Sequence, residues 1–276
     1  MAIYHLTVKT IGRSDGRSAT AAAAYRAGVE ITDKRTGEVH DFTRKSGVLS
    51  ADLVLPADAP AWASDRARLW NAVEQAETRK NSTVAREFEV ALPAELSVDA
   101  RAQLARDFAA ELVARHSCVA DVAVHMPNDD GDNRNHHSHI LLSTRRLTGD
   151  GFGEKTRELD DLKTGPQLVR EWRVRWAEMG GEALERAGFK IEADRHRVGH
   201  LLLPDQVQAA RARGDMEFVE ANEDREPTRH LGPHATAIER RTGQLSRKRL
   251  DVEQDTNDCQ SASKTFHLSA PNTFHF

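Results

Sequence analysis

The stretch VAVHMPNDDGDNRNHHSHILLSTRR, residues 122–146, decides the fold, because it predicts two neighbouring strands that carry histidines at one end. Apolar patterning predicts the first strand over 119–125 and the second over 139–145. The polar loop between them favours an antiparallel pair. The loop therefore places the end of one strand beside the start of the next.

Three histidines meet at this end of the predicted strand pair. His137 and His139 are two residues apart, so alternation points both imidazoles to the same face. His125 ends the first strand and comes alongside them when the strands pair. Three neutral imidazoles with an open fourth position are typical of a catalytic metal site. The alternative is a hydrated polar loop with surface histidines, and alternation turns His136 away from the site.

The same loop contains an acidic run, Asp129, Asp130 and Asp132, which could suggest a calcium site. The run lacks the spacing of a twelve-residue calcium-binding loop, so we predict a solvated turn.

Outward from this segment, periodicity predicts a mixed α/β protein. We predict helices over 19–27 (capped by Ser18 and closed by Gly28), 64–80, 98–116, 166–187 and 205–226. We predict strands over 2–9 and 84–92, and a hairpin over 30–42 that turns at 35–37. Three tryptophans lie on apolar helix faces and are predicted to be core: Trp70, Trp172 and Trp176.

Composition limits the classes of protein that the chain can be. It has 276 residues, and none of its apolar runs approaches the roughly 18 residues of a membrane span. The N-terminus lacks a signal-peptide core, and two cysteines, Cys118 and Cys259, exclude a disulfide framework. We therefore expect a cytoplasmic protein that does not insert into membranes.

Charge is distributed unevenly along the chain. The net charge of −4 argues at first against a nucleic-acid partner. However, residues 1–50 carry +3, whereas 51–100 carry −4 and the Ser-, Asn- and Asp-rich end at 251–276 carries −3. Local charge decides phosphate binding, so the basic N-terminal segment keeps a nucleic-acid partner open.

A metal that faces an anion also needs a nucleophile, and Tyr25 is the candidate. The chain has two tyrosines, and Tyr4 falls on the buried face of the first predicted strand. Tyr25 lies on a helix made almost wholly of alanine, near several cations of the N-terminal segment. The alternative is that Tyr25 is only the aromatic anchor of that helix.

The same residues resemble the MobA/MobL family of plasmid-mobilisation relaxases, which are HUH endonucleases. The resemblance is carried by MAIYHLTVKTIGRSDGRSATAAAAYRAG (1–28) and by CVADVAVH (118–125) with NHHSHILLSTR (135–145). It continues through 69–96 and 171–189, and weakly through 225–241. It implies an α/β fold in which helices flank an antiparallel sheet. The implied domains are a relaxase domain over 1–195 and a helical extension over 196–245, whereas the polar composition of the end of the chain predicts a disordered tail over 246–276.

The resemblance also assigns roles to residues. It implies that Tyr25 is the nucleophile and that a divalent metal, Mg²⁺ or Mn²⁺, binds His125, His137 and His139. It implies a carboxylate near the site, where alternation leaves Glu87 and Glu89 open and Glu87 is marginally preferred. Two solvent-facing strand carboxylates are the alternative. Cations that could neutralise DNA phosphates, or could be ordinary solvated charges, are Lys9, Arg13, Arg17, Lys45, Arg79 and Lys80.

The implied activity is the nicking of one DNA strand at a plasmid origin of transfer. Transesterification would leave a 5′-phosphotyrosine and a free 3′-OH, and the strand would be religated after transfer. A carboxylate or His5 would assist removal of the phenol proton. The expected partners are single-stranded origin DNA and the accessory and coupling proteins of a conjugation system, and we expect a monomer on DNA.

Two other functions fit the residues. One is a histidine–metal phosphodiesterase that uses water, and the other is an inactive relaxase fragment that binds origin DNA. The sequence departs from the family in the eleven-residue loop after His125, which is longer and more acidic than usual, and in the motif at 194–197. It is compatible with a naturally short relaxase or with a truncated one.

Overall fold

The computed structural model describes residues 4–127 and 133–225. Residues 1–220 form one compact unit, and the second unit, 221–276, is described only over 221–225. The first unit continues past residue 195, where we placed the end of the relaxase domain. The division at 195 and 245 stays a prediction, and both the tail and the acidic run of the loop lie outside the described residues.

Nine strands come before the last four helices along the described chain, and three helices lie among them. The strands are β1 (Leu6–Gly12), β2 (Glu30–Thr32), β3 (Val39–Asp41), β4 (Val48–Val54), β5 (Thr83–Ala91), β6 (Ala120–His125), β7 (His137–Ser143), β8 (Arg145–Thr148) and β9 (Gly151–Lys155). The helices are α1 (Ala19–Ala27), α2 (Arg66–Ala76), α3 (Val98–His116), α4 (Gly165–Arg186), α5 (Lys190–Arg197), α6 (Leu203–Ala212) and α7 (Met216–Asn222). Within the described residues, none of these helices has the length and apolar content to cross a bilayer.

Five strands build one sheet in the order β1-β5-β7-β6-β4, and every neighbouring pair is antiparallel. The predicted pairing of the two histidine strands is therefore confirmed. The hairpin β2–β3 and the hairpin β8–β9 lie outside this sheet. The predicted fold class, an antiparallel sheet flanked by helices, is confirmed.

The alternation of side chains gives the sheet two different faces. One face packs on α3 and α4 through a large apolar cluster that includes Phe88, Ile140 and Val122. Trp172 and Trp176 belong to the same cluster, in line with their predicted burial. Trp70, on α2, is also fully buried, in a second cluster on the other face.

The second face of the sheet carries the histidines and Glu87. Helices α1 and α2 cover part of it, where the small side chains of α1 pack beside Ile11 and Leu141. Leu141 lies on the same face of β7 as His139 and His137, because these residues are two apart. Ala85 and Glu87 share that face on β5 for the same reason. The histidines and the carboxylate therefore stand on the face that α1 approaches.

Several predicted elements are displaced in the structure. The first strand begins at Leu6 rather than residue 2, so Tyr4 precedes it and donates its hydroxyl to the Arg173 carbonyl at 2.8 Å. The strand predicted over 139–145 covers 137–143. The helix predicted over 205–226 is two helices, because Gly214 adopts a left-handed φ of +79° between them.

Candidate metal and nucleophile site

Strand register brings the three histidines together. His125 lies directly opposite His137, and His139 lies opposite Ala123. The three ring centroids are 4.9 to 5.4 Å apart, and each ring offers a ligand atom within 4.8 Å of the others. His125 is buried, whereas the other two are half-buried and leave an approach from solvent. The predicted juxtaposition of His125, His137 and His139 is therefore present in the fold.

Each imidazole uses one nitrogen to bind a protein oxygen. Nε2 of His125 lies 2.8 Å from the carbonyl oxygen of Arg26, and Nδ1 of His137 lies 3.0 Å from that of Asn135. Nδ1 of His139 lies 2.6 Å from Oε1 of Glu87. Because these oxygens only accept, the facing nitrogens carry the protons. The other nitrogen of each ring keeps its lone pair, and such fixed tautomers are typical of metal ligands.

Burial keeps the site ready for a cation. Together with the charge of Lys45, it lowers the pKa of His125 to about 4. Burial also lowers the pKa of His137. Both rings are therefore neutral at pH 7, which is the form that binds a metal. The donor set fits a divalent cation.

The structure distinguishes the two candidate carboxylates. Glu87 is 2% exposed and accepts hydrogen bonds from His139 and from Arg26, each at 2.6 Å. Burial alone would raise the pKa of Glu87, but these hydrogen bonds and the Arg26 charge hold it well below its usual range. Glu89 instead pairs with Lys9 at 2.5 Å. It is Glu87 that orients a triad histidine.

Arg26 is the site residue that sequence reasoning missed. Its guanidinium pairs with Glu87, and its own carbonyl oxygen accepts from His125. A second guanidinium nitrogen donates to the Ala22 carbonyl one turn earlier on α1. Sequence reasoning counted Arg26 only as one of several basic residues. A signal was available, because it directly follows the candidate nucleophile.

Tyr25 stands on the last turn of α1. This helix begins where Ser18 Oγ accepts from the amide of Ala21, and it ends at Gly28 in the left-handed conformation. The Tyr25 side chain is 48% exposed, so it is not a buried anchor of its helix. Because the next residue is Arg26, the backbone beside Tyr25 is bonded to the histidine site.

Two neighbours hold the Tyr25 ring. The ring of Phe42 meets it edge-on with centroids 5.2 Å apart. Nζ of Lys45 lies 3.9 Å from the Tyr25 ring centroid and donates to the Tyr25 carbonyl at 3.1 Å. Burial and the charge of Arg26 lower the pKa of Lys45. A cation is thus fixed beside the phenol.

The other predicted DNA-contacting cations differ in their surroundings. Arg17 and Lys80 are exposed and line a groove that reaches Tyr25. Arg79 is exposed but does not line it, and Lys9 is engaged with Glu89.

Arg13 is engaged within the fold. Its guanidinium donates to the Glu74 carboxylate and to the carbonyls of Glu74 and Glu77, each at 2.6 Å. Glu74 in turn accepts from the amide of Ala19 at the start of α1. Arg13 therefore helps to fix α1 against α2, and its contact with DNA phosphate stays a prediction.

Comparison with known proteins places this geometry in a family. The model of the MobA/MobL family matches residues 17–241. The chain belongs to the MobA/MobL family. The resemblance inferred from the sequence is confirmed.

Two further relatives are similar in sequence to this MobA/MobL protein. Mobilization protein MobL of Acidithiobacillus ferridurans is 44% identical over 92% of this chain and 68% of MobL. The probable mobilization protein MobA of Bifidobacterium longum (strain NCC 2705) is 34% identical over 95% of this chain and 49% of that protein. The chain thus spans about half to two thirds of these relatives.

A solved structure shares the fold. It is described as "Molecular Basis of Vancomycin Resistance Transfer in Staphylococcus aureus" and is 32% identical, with a TM-score of 0.61. The match covers 68% of this chain and 95% of that one. This MobA/MobL protein is therefore similar to that solved structure in both sequence and fold.

Proposed function

We propose that this chain is a DNA relaxase that nicks one strand at an origin of transfer in conjugative mobilisation, with Tyr25 as its nucleophile. The observation that carries the proposal is the link through Arg26. This residue follows an exposed tyrosine and bonds both to His125 and to the carboxylate that orients His139. Membership of the MobA/MobL family supports the same activity.

The chemistry is a transesterification at phosphorus. The Tyr25 Oη attacks the scissile phosphate and forms a new P–O bond, while the bond to the 3′ oxygen breaks. The phenol proton goes to solvent, and the departing 3′ oxygen takes up a proton. A neutral phenol is a weak nucleophile, so the ammonium of Lys45 beside the ring would stabilise the developing phenolate.

A divalent metal fits the triad. His125, His137 and His139 would hold it, and Mg²⁺ and Mn²⁺ are the ions that we propose. When bound, such an ion polarises the non-bridging phosphate oxygens and orients the phosphate. Glu87 keeps His139 in the required tautomer, and the Arg26 carbonyl does the same for His125.

The product retains the energy of the broken bond. A 5′-phosphotyrosine is itself a phosphodiester, so attack by the 3′-OH can reseal the strand. This reversibility suits an enzyme that must rejoin a strand after transfer. The proposed partners are single-stranded origin DNA and the accessory and coupling proteins of a transfer system, and the proposed compartment is the cytoplasm.

A denaturing gel tests the proposal. End-labelled single-stranded oligonucleotides, tiled across the DNA that flanks the gene, are incubated with the protein and Mn²⁺ or Mg²⁺. We expect a covalent protein–DNA band that disappears with EDTA and with Tyr25→Phe. Cleavage without a covalent band would contradict the proposal and indicate a phosphodiesterase that uses water. Binding without cleavage would contradict it in favour of an accessory origin-binding protein.

A further inference from the structure

A wide groove begins at Tyr25 and runs along α1. Its volume is about 1010 Å³, at the upper end of the roughly 300–1,000 Å³ that holds a drug-sized ligand. One wall is the face of α1 that carries Ser18, Ala21 and Ala22 before Tyr25. The β2–β3 hairpin and the segment at Thr78 and Lys80 also line the groove.

The groove is distinct from the metal site. Its lining residues all lie between 13 and 80, whereas the triad lies on β6 and β7. Tyr25 borders the groove, and its neighbour Arg26 contacts the triad. Tyr25 therefore lies between the groove and the histidine site.

Positive charge dominates the groove. Five cations line it against two carboxylates: Arg13, Arg17, Arg26, Arg35 and Lys80 against Asp33 and Glu38. Asp33 is buried and accepts from Thr20 and from the amides of the hairpin turn.

Two of the cations are available to a ligand. Arg13 and Arg26 are neutralised by buried glutamates behind the wall, and Arg35 lies 3.5 Å from Glu74. Among the described residues, Arg17 and Lys80 form no ion pair. They are the cations best placed to bind phosphates.

An aromatic ring stands at the Tyr25 end of the groove. Phe42 lines it and holds the Tyr25 ring edge-on. Cations that follow a backbone and an aromatic ring that a base can stack on are the two components of single-strand binding sites. The chemistry of the groove thus fits a short run of single-stranded nucleotides.

The direction of the strand follows from the reaction. In an in-line displacement the attacking and leaving oxygens lie on opposite sides of the phosphorus. The nucleotides that end in the new 3′-OH therefore leave from the side away from Tyr25. The nucleotides downstream of the nick stay bonded to Tyr25 and need a path that starts at its ring.

We propose that this groove binds the nucleotides on the 3′ side of the scissile phosphate, the strand that becomes attached to Tyr25. The proposal rests on the proposed relaxase function. Arg17 and Lys80 hold its phosphates, and Phe42 supports the first base. The groove then keeps the attached strand in place until the 3′-OH returns for religation.

The test compares oligonucleotides that extend one or six nucleotides past the mapped nick. In the Tyr25→Phe background, fluorescence anisotropy is expected to show about tenfold tighter binding of the longer oligonucleotide. Arg17→Ala with Lys80→Ala should abolish that gain and reduce the salt dependence by about 1.4 in the log–log slope, since two phosphate contacts are lost. Binding of the short oligonucleotide should be unchanged.

A matched control removes two positive charges elsewhere. Arg68 and Lys163 are exposed and do not line the groove, so Arg68→Ala with Lys163→Ala should keep the tenfold gain. Equal binding of the short and the long oligonucleotide by the Tyr25→Phe protein with an unchanged groove would overturn the proposal. An equal loss of affinity on both lengths in the groove variant would overturn it too.

The two proposals fail in different ways. With Tyr25 restored, absence of a covalent adduct on both oligonucleotides would count against the relaxase proposal. An adduct that forms without any effect of downstream length on binding would count against the groove alone.

Discussion

Glu87 is a buried carboxylate whose place in the site is to orient a histidine. Its oxygen accepts from His139 at 2.6 Å, and its charge is balanced by Arg26. Glu89, two residues along the same strand, binds Lys9 at the more exposed rim. Sequence alternation placed both carboxylates on one face but could not choose between them, since the choice depends on the partner that each side chain meets in three dimensions.

We expect Glu87→Gln to weaken Mn²⁺ binding by about 10- to 100-fold, because it removes the acceptor charge that fixes the tautomer of His139. Isothermal titration calorimetry at pH 7.5 measures this loss. Glu89→Gln is the matched control and should leave the affinity nearly unchanged, because Glu89 bonds to Lys9 and not to a triad histidine. Equal losses in both variants would contradict the assignment.

The sequence singled out Tyr25 as a candidate, but the surroundings of Tyr25 could not be predicted. The sequence has two tyrosines, and the structure leaves Tyr25 exposed while Tyr4 packs against His196. The roles of Lys45 and Phe42 were hidden, because both lie about twenty residues away and reach the ring only through the β2–β3 hairpin. The Arg13–Glu74 ion pair was hidden for a similar reason, since Glu74 is remote in sequence.

At the scale of elements, the contact of α1 with the sheet is the feature on which the site depends. Alanine side chains let the helix backbone approach the strands closely, and Arg26 forms the polar link. The Arg26–Glu87 pair is almost fully buried, with side chains 11% and 3% exposed. Removing one partner of such a pair leaves an uncompensated charge.

We expect Arg26→Met to lower the free energy of unfolding by about 3–5 kcal/mol, because it leaves the Glu87 carboxylate buried without a counter-charge. Urea denaturation followed by circular dichroism measures the change. The double variant Arg26→Met with Glu87→Gln should recover part of the loss, since no charge is then left buried. A double variant that is less stable than Arg26→Met would refute this account of the link.

A second element contact joins α4 to α5. His196 on α5 is buried and packs on the backbone of Gly180, where an added Cβ would lie 2.1 Å from its Cε1. The ring cannot move away easily, because its Nδ1 bonds to the Ala177 carbonyl at 3.1 Å and Tyr4 packs on it. The glycine therefore serves a close approach.

We expect Gly180→Ala to destabilise the protein by about 1–3 kcal/mol, as overpacking in a core does. Gly153→Ala is the control, because a Cβ there meets nothing within 4 Å. A thermal melt compares the two variants with the parent. The same melting temperature for both variants would show that α5 yields at this contact.

Elements with strong periodicity were predicted well, and weakly patterned ones were not. Helix α3 covers the predicted 98–116, because its apolar stripe is regular and Ser97 caps it. Strand β4 was missed, since its residues VLSADLV alternate poorly at the edge of the sheet. The β8–β9 hairpin was missed in a Gly- and Asp-rich stretch that gave no clear period.

At the scale of the whole molecule, buried neutral histidines link stability to pH. Burial lowers the pKa of His196 to about 4 and also lowers that of His116. In the unfolded chain both return to about 6.5. Below that pH the unfolded state binds more protons than the folded state, so stability falls as the pH drops from about 6.5 towards 4.

We expect the free energy of unfolding to be lower at pH 5 than at pH 7.5, with about 2 kcal/mol of the difference arising from His196. Urea denaturation in EDTA measures it without a contribution from bound metal. Carboxylates with lowered pKa values, such as Asp215, add to the loss only below about pH 4. Equal or greater stability at pH 5 would contradict the burial of neutral histidines.

The overall charge shows why composition alone was a poor guide to partners. The protein is acidic as a whole, yet the groove beside Tyr25 collects five cations from the first 80 residues. Two of them, Arg13 and Arg26, hold the fold together, which only the structure could show. Arg17 and Lys80 are the two that we propose to bind DNA phosphates.

Mass spectrometry of a protein–DNA adduct tests whether Tyr25 becomes covalently bonded to DNA. Trypsin cuts after Arg17 and Arg26 and so releases residues 18–26 with a single tyrosine. After nuclease treatment, we predict that this peptide carries a nucleotide 5′-phosphate on Tyr25. A cut strand with the 18–26 peptide unmodified, or a nucleotide on any other residue, would contradict the claim.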